Sequence, residues 1–395
     1  MKVITTEKLP IKMWLQDIED GAMEQVKNLA NLPFAFHHIA IMPDSHQGYG
    51  MPIGGVLATK DVVIPHAVGV DIGCGMCAVK TSLTKISQDQ LKKIMGEIRK
   101  QIPVGFKHHE TKQDISLMPN DGLNSWEELP ICGQEFENAL TQIGTLGGGN
   151  HFIEIQKGTD GHIWIMLHSG SRNLGYKVAE YYDNLATALN KKWYSNIDKS
   201  IKLAFLPVDS EEGQAYIREM QYCVDFALAN RKLMMSRIID IFKKVINIDT
   251  SFLCDTGNGD SIVNIAHNYA SLENHYGKNV WVHRKGATLA RKGTIGIIPG
   301  SMGTSSYIVE GLGNKESFES CSHGAGRKMG RRQAIQNLNL EEEQNKMKGI
   351  LGKPRNKEDL QEAPGAYKNI IDVIDNEKDL IKVLVGLKPL AVIKG

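Results

Sequence analysis

The sequence predicts a mixed α/β (α+β) fold: a single large domain over residues 1–395, with central β-sheets flanked by helices and a helical insertion at 176–247. Three observations carry this expectation. Short apolar runs separated by Gly-rich turns fill residues 35–85 and 143–175. A block of helical periodicity follows, from Gly175 to about Asn247, and strand-and-turn texture returns from 250 to about 330. Strand texture on both sides of the helical block points to an insertion within one domain, not to two tandem domains.

His38–Met42, Val62–Ile64 and Ile163–Leu167 are short, apolar and turn-bounded, which reads as buried strands of a sheet. Tyr176–Tyr182 and Tyr216–Leu228 place apolar residues three and four apart without internal Gly or Pro, the spacing of a helix face. A charged helical stretch, Leu340–Lys348, and a Pro/Gly-containing loop lead to two apolar C-terminal runs, Leu380–Val385 and Leu387–Gly395. There is no 20–50-residue repeat and no low-complexity tract.

At 395 residues, with 42% apolar and 23% charged residues, the chain has a globular composition and is neither disordered nor fibrous. The opening MKVITTEKLPIKMW lacks a signal-peptide run, and no segment approaches the ~20 apolar residues of a membrane span, so no membrane association is expected. Six thinly spread cysteines are the usage of reduced thiols, which predicts a cytoplasmic location and favours metal binding or catalysis over disulfides. The net charge of +1 leaves nucleic acid open as a partner, because a local basic patch suffices. Candidate patches are His323–Arg332 and His283-Arg284-Lys285 with Arg291 and Lys292.

The reactive residues fall in Gly-bounded turns beside apolar runs. Val68-Gly-Val-Asp71-Ile-Gly-Cys74-Gly carries an acid and a thiol, and Gly147-Gly-Gly-Asn150-His151 a histidine. Ile163–Leu167 runs into His168, Ile262–Ala266 into His267-Asn268, and Ser320-Cys-Ser into His323-Gly-Ala-Gly. One such histidine is most often structural; a repeated pattern at strand ends is what a binding site looks like. The imidazoles, carboxylate and thiolate form a mixed N/O/S set, suited to zinc, manganese or iron ahead of Mg²⁺ or Ca²⁺. A single thiolate can bridge two ions, and paired ions polarise phosphate. Cys74-Gly-Met-Cys77 has no second such pair, so a structural zinc site is not indicated and Cys77 reads as a packed residue. The turns Gly147–Asn150, Pro299–Thr304 and His323–Gly326 present backbone N–H groups that suit phosphate oxygens, though none is a Walker A or Rossmann motif.

The segments MPDSHQGYGMPIGGV (42–56), VGVDIGCG (68–75), LGGGNHFIE (146–154), LHSGSR (167–172), AHNYA (266–270), HRKGAT (283–288), PGSMGTSSY (299–307), SCSHGAGR (320–327) and EAPGAYK (362–368) resemble the RtcB family of RNA-splicing ligases, in order from about residue 40 to the C-terminal Ile393-Lys-Gly. The resemblance implies an enzyme that joins an RNA 3′-phosphate or 2′,3′-cyclic phosphate to a 5′-hydroxyl, with GTP as co-substrate and two Mn²⁺ per subunit. By the same resemblance Cys74 bridges the ions, His151 and His168 complete one site, and Asp71 and His267 the other. His323 is implied as the nucleophile that carries GMP. Asn150, Phe152, Glu154, Asn268, Pro299, Gly300, Ser301, Met302, Ser306, Gly324, Ala325, Gly326 and Lys394 match guanylate-contacting positions, in company with His151 and His267. Glu154 can accept from guanine N1–H and N2–H₂, which adenine lacks. Arg172, Arg284, Arg327 and Lys328 are candidates for RNA phosphates. An activating archease-like partner protein is a further expectation that the residues do not themselves show. Two rival readings of the ligands stay open: a dinuclear phosphoesterase acting on 2′,3′-cyclic phosphates without GTP, and a non-catalytic, metal-stabilised RNA-binding protein.

Overall fold

In the computed structural model, residues 1–119, 129–247, 253–254 and 262–395 are described, so the beginning of the expected strand region at 250 lies partly outside the described residues. Two sheets organise the chain. A six-stranded sheet runs in the order Lys2–Ile4, Ile11–Met13, Ala35–His46, Ile53–Thr59, Lys278–Lys285 and Asn268–His275. An eight-stranded sheet runs Leu253–Cys254, Gly75–Thr81, Ile163–Ser169, Phe152–Gly158, Ile381–Lys394, Ser306–Gly311 and Ile295–Ile298, with Ile262–Ala266 also paired to Gly75–Thr81. Mixed α/β is therefore the observed class, as the alternation of textures predicts.

The eight-stranded sheet is apolar on both faces, which is why its strands read as continuous hydrophobic runs. Cys77, Val79, Ile153, Ile165 and Leu167 pack beneath the helices Gln88–Gln101 and Glu211–Ile246, against residues such as Ile94, Ile98, Met234, Ile238 and Phe242. The alternate residues Met76, Ala78, Phe152, Trp164, Met166 and Val263 turn the other way and meet Ile295, Ile297, Ile308 and Leu387. The sheet curls enough for Ile295–Ile298 to come back against Ile262–Ala266 and Gly75–Thr81, enclosing that second core.

Two elements show how local chemistry sets these boundaries. The two C-terminal apolar runs form one 14-residue strand, Ile381–Lys394, which passes Pro389 by shifting register between Pro389 and Ala391. A bulge is where a strand can carry a residue with no N–H to give. The helix Glu211–Ile246 starts on a Ser210 side chain that accepts from the Gly213 amide, carries Glu211 and Glu212 in its first turn, and stops at Asn247 in the left-handed region at φ +58°.

That helix also fixes its neighbours. Glu219 is fully buried, and its carboxylate accepts from the amides of Ile131 and Cys132 and from the Tyr182 hydroxyl, at 3.0, 2.8 and 3.1 Å. It thereby caps the helix Pro130–Gln142, whose own N-cap position, Leu129, has no side-chain acceptor. Substituting Glu219→Ala leaves those donors unpaired in the core. The expected loss is about 3 kcal/mol of unfolding free energy, read as a lowered urea midpoint; a change below ~1 kcal/mol contradicts the capping role.

Candidate active site

The period of the strands builds the site. Residues 76 and 78, 164 and 166, and 263 face the enclosed core of the curled sheet, and the same alternation carried to the strand ends reaches Cys74, His168 and His267. Lateral pairing aligns them: Met76 lies opposite His168, which lies opposite Phe152, and the His267 amide donates to the Cys74 carbonyl at 2.8 Å. His267 is also where the chain leaves the eight-stranded sheet at Ala266 and enters the six-stranded one at Asn268. The site therefore sits at the crossing point between the sheets.

The donors form a continuous series. His151 Nε2 lies 3.2 Å from Asp71 Oδ2 and 3.5 Å from Cys74 Sγ; His168 Nε2 lies 3.2 Å from Cys74 Sγ and 3.3 Å from His267 Nε2. Two ligands of one ion bonded at 2.0–2.3 Å at tetrahedral angles stand about 3.3–3.8 Å apart, so this spacing suits donors around a metal. His151 and His168 have their other ring nitrogens against the carbonyls of Leu146 and Asn150, at 2.9 and 3.3 Å, which directs Nε2 into the cluster. Glycine makes the approach possible at two points. A Cβ on Gly170 would lie 2.3 Å from Asp71 Oδ1, and one on Gly147, at φ +92°, would lie 2.5 Å from His151 Nδ1.

Electrostatics agree with a cation site. Burial and then the Asp71 charge push the Cys74 thiol well above its ordinary range. Burial and neighbouring histidines hold His168 and His267 well below theirs, as neutral imidazoles with lone pairs. Burial opposes ionisation of Asp71, but its hydrogen bond to His151 and nearby charges prevail and hold it below the usual carboxylate range. Neutral imidazoles, an ionised carboxylate and a thiol awaiting deprotonation fit the metal that the donor chemistry implies.

His323 faces this cluster, its ring centroid 4.8 Å from that of His267. Its Nδ1 lies 2.6 Å from Oδ2 of the fully buried Asp44, which also accepts from the His323 amide at 3.1 Å. The contact with this carboxyl favours the Nδ1–H tautomer, which leaves the lone pair on Nε2. A cavity of about 1080 Å³ opens here, lined by Asp71, Cys74, His168, His267 and His323 and by Asn150, Phe152, Glu154, Asn268, Pro299, Gly300, Ser301, Met302, Gly324, Ala325, Gly326 and Lys394. His151 and Ser306 stand just behind this lining. Buried Glu154 is pushed up to about 8 by desolvation, against the nearby Lys394 charge and a 2.6 Å hydrogen bond from Gln156. Gln156 donates at 3.2 Å to Ser306, whose hydroxyl accepts from the Gly300 amide at 3.1 Å.

The model of the family described as "tRNA-splicing ligase RtcB" matches residues 25–395. The chain belongs to the RtcB family of RNA-splicing ligases. It is 38% identical to the RNA-splicing ligase RtcB of Escherichia coli (strain K12), covering 100% of this chain and 99% of that one. The tRNA-splicing ligases RtcB of Methanococcus maripaludis and Thermococcus kodakarensis are each 32% identical, covering 97% and 95% of this chain and 93% and 92% of theirs.

Several expectations for this RtcB-family chain change in the structure. Cys74, His151 and His168 bring one donor atom each within 4.8 Å of one another, a group that could hold one ion, and Asp71 and His267 extend it through His151 and His168. Arg284 is not available to RNA: it is fully buried, and both terminal nitrogens are engaged with Glu273, at 2.5 and 3.1 Å. Arg172 is partly buried, with hydrogen bonds to Thr145 Oγ1 and the Gly105 carbonyl. Arg327 and Lys328 do line the cavity, together with the exposed Arg331 and Arg332. The Gly300 and Ser301 amides do not form an open phosphate cradle, since they donate to Ser306 and to Thr304 Oγ1. Asn268 reaches the Asp71 carbonyl at 3.0 Å and accepts from the Gly286 amide at 2.8 Å, so its side chain braces the site. Cys77 is packed in the core, its thiol pushed up to about 12 by burial.

Sequence reasoning gave no role to Asp44, Gln156, Asn230 or Arg231. Asn230 bridges the Gly144–Thr145 amides and the Thr145 and Gly170 carbonyls. Arg231, fully buried, donates to the Gly73 and Ser169 carbonyls at 2.8 and 2.9 Å, behind Cys74. The available signal was a polar Asn-Arg pair within an otherwise apolar helix face.

A cation binding here must displace the Cys74 proton. Calorimetric titration of the metal-free protein with Mn²⁺ at pH 7, in buffers of different ionisation enthalpy, is expected to show release of about one proton per site filled at Cys74. Cys74→Ala is expected to abolish that release; an unchanged release in the variant rules out Cys74 as its source.

Proposed function

We propose that this RtcB-family RNA ligase joins an RNA 3′-phosphate or 2′,3′-cyclic phosphate end to a 5′-hydroxyl end, with GTP as co-substrate, two Mn²⁺ per subunit and His323 as nucleophile. The observation that carries this reading is His323 itself. Its Nδ1 is tied to buried Asp44 at 2.6 Å, while its ring packs against His267, in a cavity also lined by Asp71, Cys74 and His168. Hydrolysis at a dinuclear centre can proceed with an activated water alone, whereas transfer of GMP through a covalent protein intermediate requires a side-chain nucleophile.

Each step is then a displacement at phosphorus. A cyclic phosphate is first opened by water to a 3′-phosphate. The Nε2 lone pair of His323 attacks the α-phosphorus of GTP, an N–P bond forms, and the bond to the bridging oxygen breaks as pyrophosphate leaves. Asp44 holds Nδ1–H throughout and stabilises the positive charge that develops on the ring. The RNA 3′-phosphate takes the GMP group, the N–P bond breaks, and His323 regains its lone pair. The RNA 5′-hydroxyl then attacks the activated 3′-phosphorus, loses its proton, and GMP departs. Cations held by Cys74 with His151 and His168, and by Cys74 with Asp71 and His267, would offset charge on the phosphate oxygens. Lys328, Arg331 and Arg332 at the cavity wall suit the RNA backbone.

Labelling with α-³²P-GTP and Mn²⁺, followed by a denaturing gel, is expected to leave acid-labile, alkali-stable label on the wild-type protein and none on His323→Ala. Asp44→Asn is expected to slow labelling by about 10²–10⁴-fold through loss of the correct tautomer. Label on the His323 variant excludes it as nucleophile, and absence of label from both directs attention to hydrolysis of cyclic phosphate without GTP.

Guanine recognition supplies a pH test. Accepting from N1–H and N2–H₂ requires ionised Glu154, but burial raises it to about 8, so the unliganded group is mainly protonated at pH 7. Binding therefore releases a proton, and affinity for GTP rises with pH until it levels off near 8. The expected tightening is up to about tenfold per pH unit below that point. Glu154→Gln is expected to flatten the profile and weaken preference for GTP over ATP, as read by equilibrium binding; a wild-type profile flat from pH 6 to 8 contradicts this role.

A further inference from the structure

The turn between the strands Ala35–His46 and Ile53–Thr59 places an aromatic ring in the cavity for which the proposed displacements at phosphorus have no use. Tyr49 lines the cavity yet is 64% exposed, so its ring contributes little to the core. Its backbone, by contrast, is heavily fixed. The Tyr49 carbonyl accepts from the Met51 amide at 2.8 Å and from Nζ of buried Lys285 at 2.6 Å. Lys285 also donates to the His66 carbonyl at 2.9 Å. Gln25 exchanges two hydrogen bonds with Gly48, at 2.6 and 3.1 Å. Gly50, at φ +68°, lies so near the Lys202 carbonyl that a Cβ would approach to 2.4 Å. Lys202 Nζ stands 4.9 Å from the Tyr49 ring centroid, a cation–π contact that steadies the ring. A fixed backbone beneath an exposed ring is a preorganised contact surface, because little freedom is left to lose on binding.

Its position favours one kind of occupant. Phe152, Glu154 and Lys394 enter the cavity from the eight-stranded sheet, whereas Tyr49 enters from the six-stranded sheet, on the strand connection that follows Asp44. His323 stands between these contributions, held by Asp44. An RNA end brought to His323 carries a flat, weakly polar base, and stacking on an aromatic ring binds any of the four bases.

We infer that Tyr49 is the stacking platform for the base of an RNA terminal nucleotide, a positioning residue that sets the RNA end against the His323 centre. The inference rests on the RNA-ligase reading above. The two candidate ends, the 3′-phosphate and the 5′-hydroxyl nucleotide, present the same chemistry, and the experiment separates them.

Ligation kinetics are measured at saturating GTP for wild type, Tyr49→Ala and Tyr49→Phe. The oligonucleotides are ordinary, abasic at the 3′-phosphate nucleotide, or abasic at the 5′-hydroxyl nucleotide. Tyr49→Ala is expected to raise KM for one RNA by roughly 5- to 100-fold. Tyr49→Phe is expected to restore KM to within about twofold of wild type, since the ring and not the hydroxyl makes the stack. Wild type should suffer the same loss with an abasic nucleotide at the contacted end, and Tyr49→Ala no further loss there. The end at which the two losses fail to add identifies the stacked nucleotide. Unchanged KM in Tyr49→Ala, equal defects in Ala and Phe variants, or additive losses at both ends each overturn the inference. The abasic measurements on wild type stand even where a variant folds poorly. Labelling of wild type by α-³²P-GTP is run in parallel: without label or joined product the ligase reading fails and this inference falls with it, whereas label with no Tyr49 effect rejects the stack alone.

Discussion

A buried thiol and imidazoles that turn lone pairs toward one another gain little from the contact, and holding Cys74, His168 and His267 within about hydrogen-bond distance costs free energy. Cys74, His151, His168 and His267 are all nearly inaccessible to water, so solvent cannot relieve that crowding. The rest of the structure supplies the constraint. Strand pairing aligns Cys74, His168 and His267 at one rim of the curled sheet, and Asn230 and Arg231 lock the intervening turns from behind. Arg231 also places a buried positive charge beside Cys74 and Asp71, and it remains charged at neutral pH although burial lowers it to about 10. A bound cation relieves the same strain more directly. Metal affinity and stability of the metal-free protein are therefore coupled, because whatever holds the empty donors together also preorganises the occupied centre.

The cluster was largely legible in the sequence, for a definite physical reason. In strands the side-chain period is 2, and each ligand follows its apolar run at the position continuing the inward face: 164, 166, then 168; 263, 265, then 267. The flanking glycines marked close approach, which Gly147 and Gly170 now explain. Partners contributed by distant segments left a weaker trace. Asp44 and His323 are 279 residues apart in the chain, and nothing in the DSH of one segment or the HGA of the other specifies that they meet. Arg284 shows the opposite failure. Its place in a basic cluster suggested phosphate binding, but Glu273 lies 11 residues away along a hairpin and faces inward to pair with it.

The pocket proposed for guanylate shows how the same sheet makes a second environment beside the first. Phe152, Glu154 and Gln156 alternate inward on one strand, so Glu154 is surrounded by apolar neighbours and has a single side-chain donor in Gln156. Desolvation keeps its proton on until a ligand offers better donors. In the proposed reading that arrangement would raise selectivity, since a purine lacking paired N–H groups would leave the acid protonated, whereas guanine would exchange the proton for two hydrogen bonds. Lys394 lies close enough to favour the ionised form, which keeps the cost of that exchange small.

His323, the proposed nucleophile, follows the strand Ser320–Ser322, which pairs with Ala287–Leu289 in a small sheet apart from the eight-stranded one that carries His168. His267 is held neutral by burial first and then by the proximity of His323, so a positive His323 and a cation beside His267 would oppose each other. Asp44 counters that opposition, since its buried charge bonds Nδ1 on the side of the ring away from Nε2. The carboxylate reaches His323 from the end of Ala35–His46, in the six-stranded sheet, and so it does not compete with Asp71 for the donor cluster. Each acid thus has one ring partner, Asp71 the His151 ring of the donor cluster and Asp44 the His323 ring. The crossover at His267 is what brings Asp44, from the six-stranded sheet, and the donor cluster, from the eight-stranded one, to the same cavity beside His323.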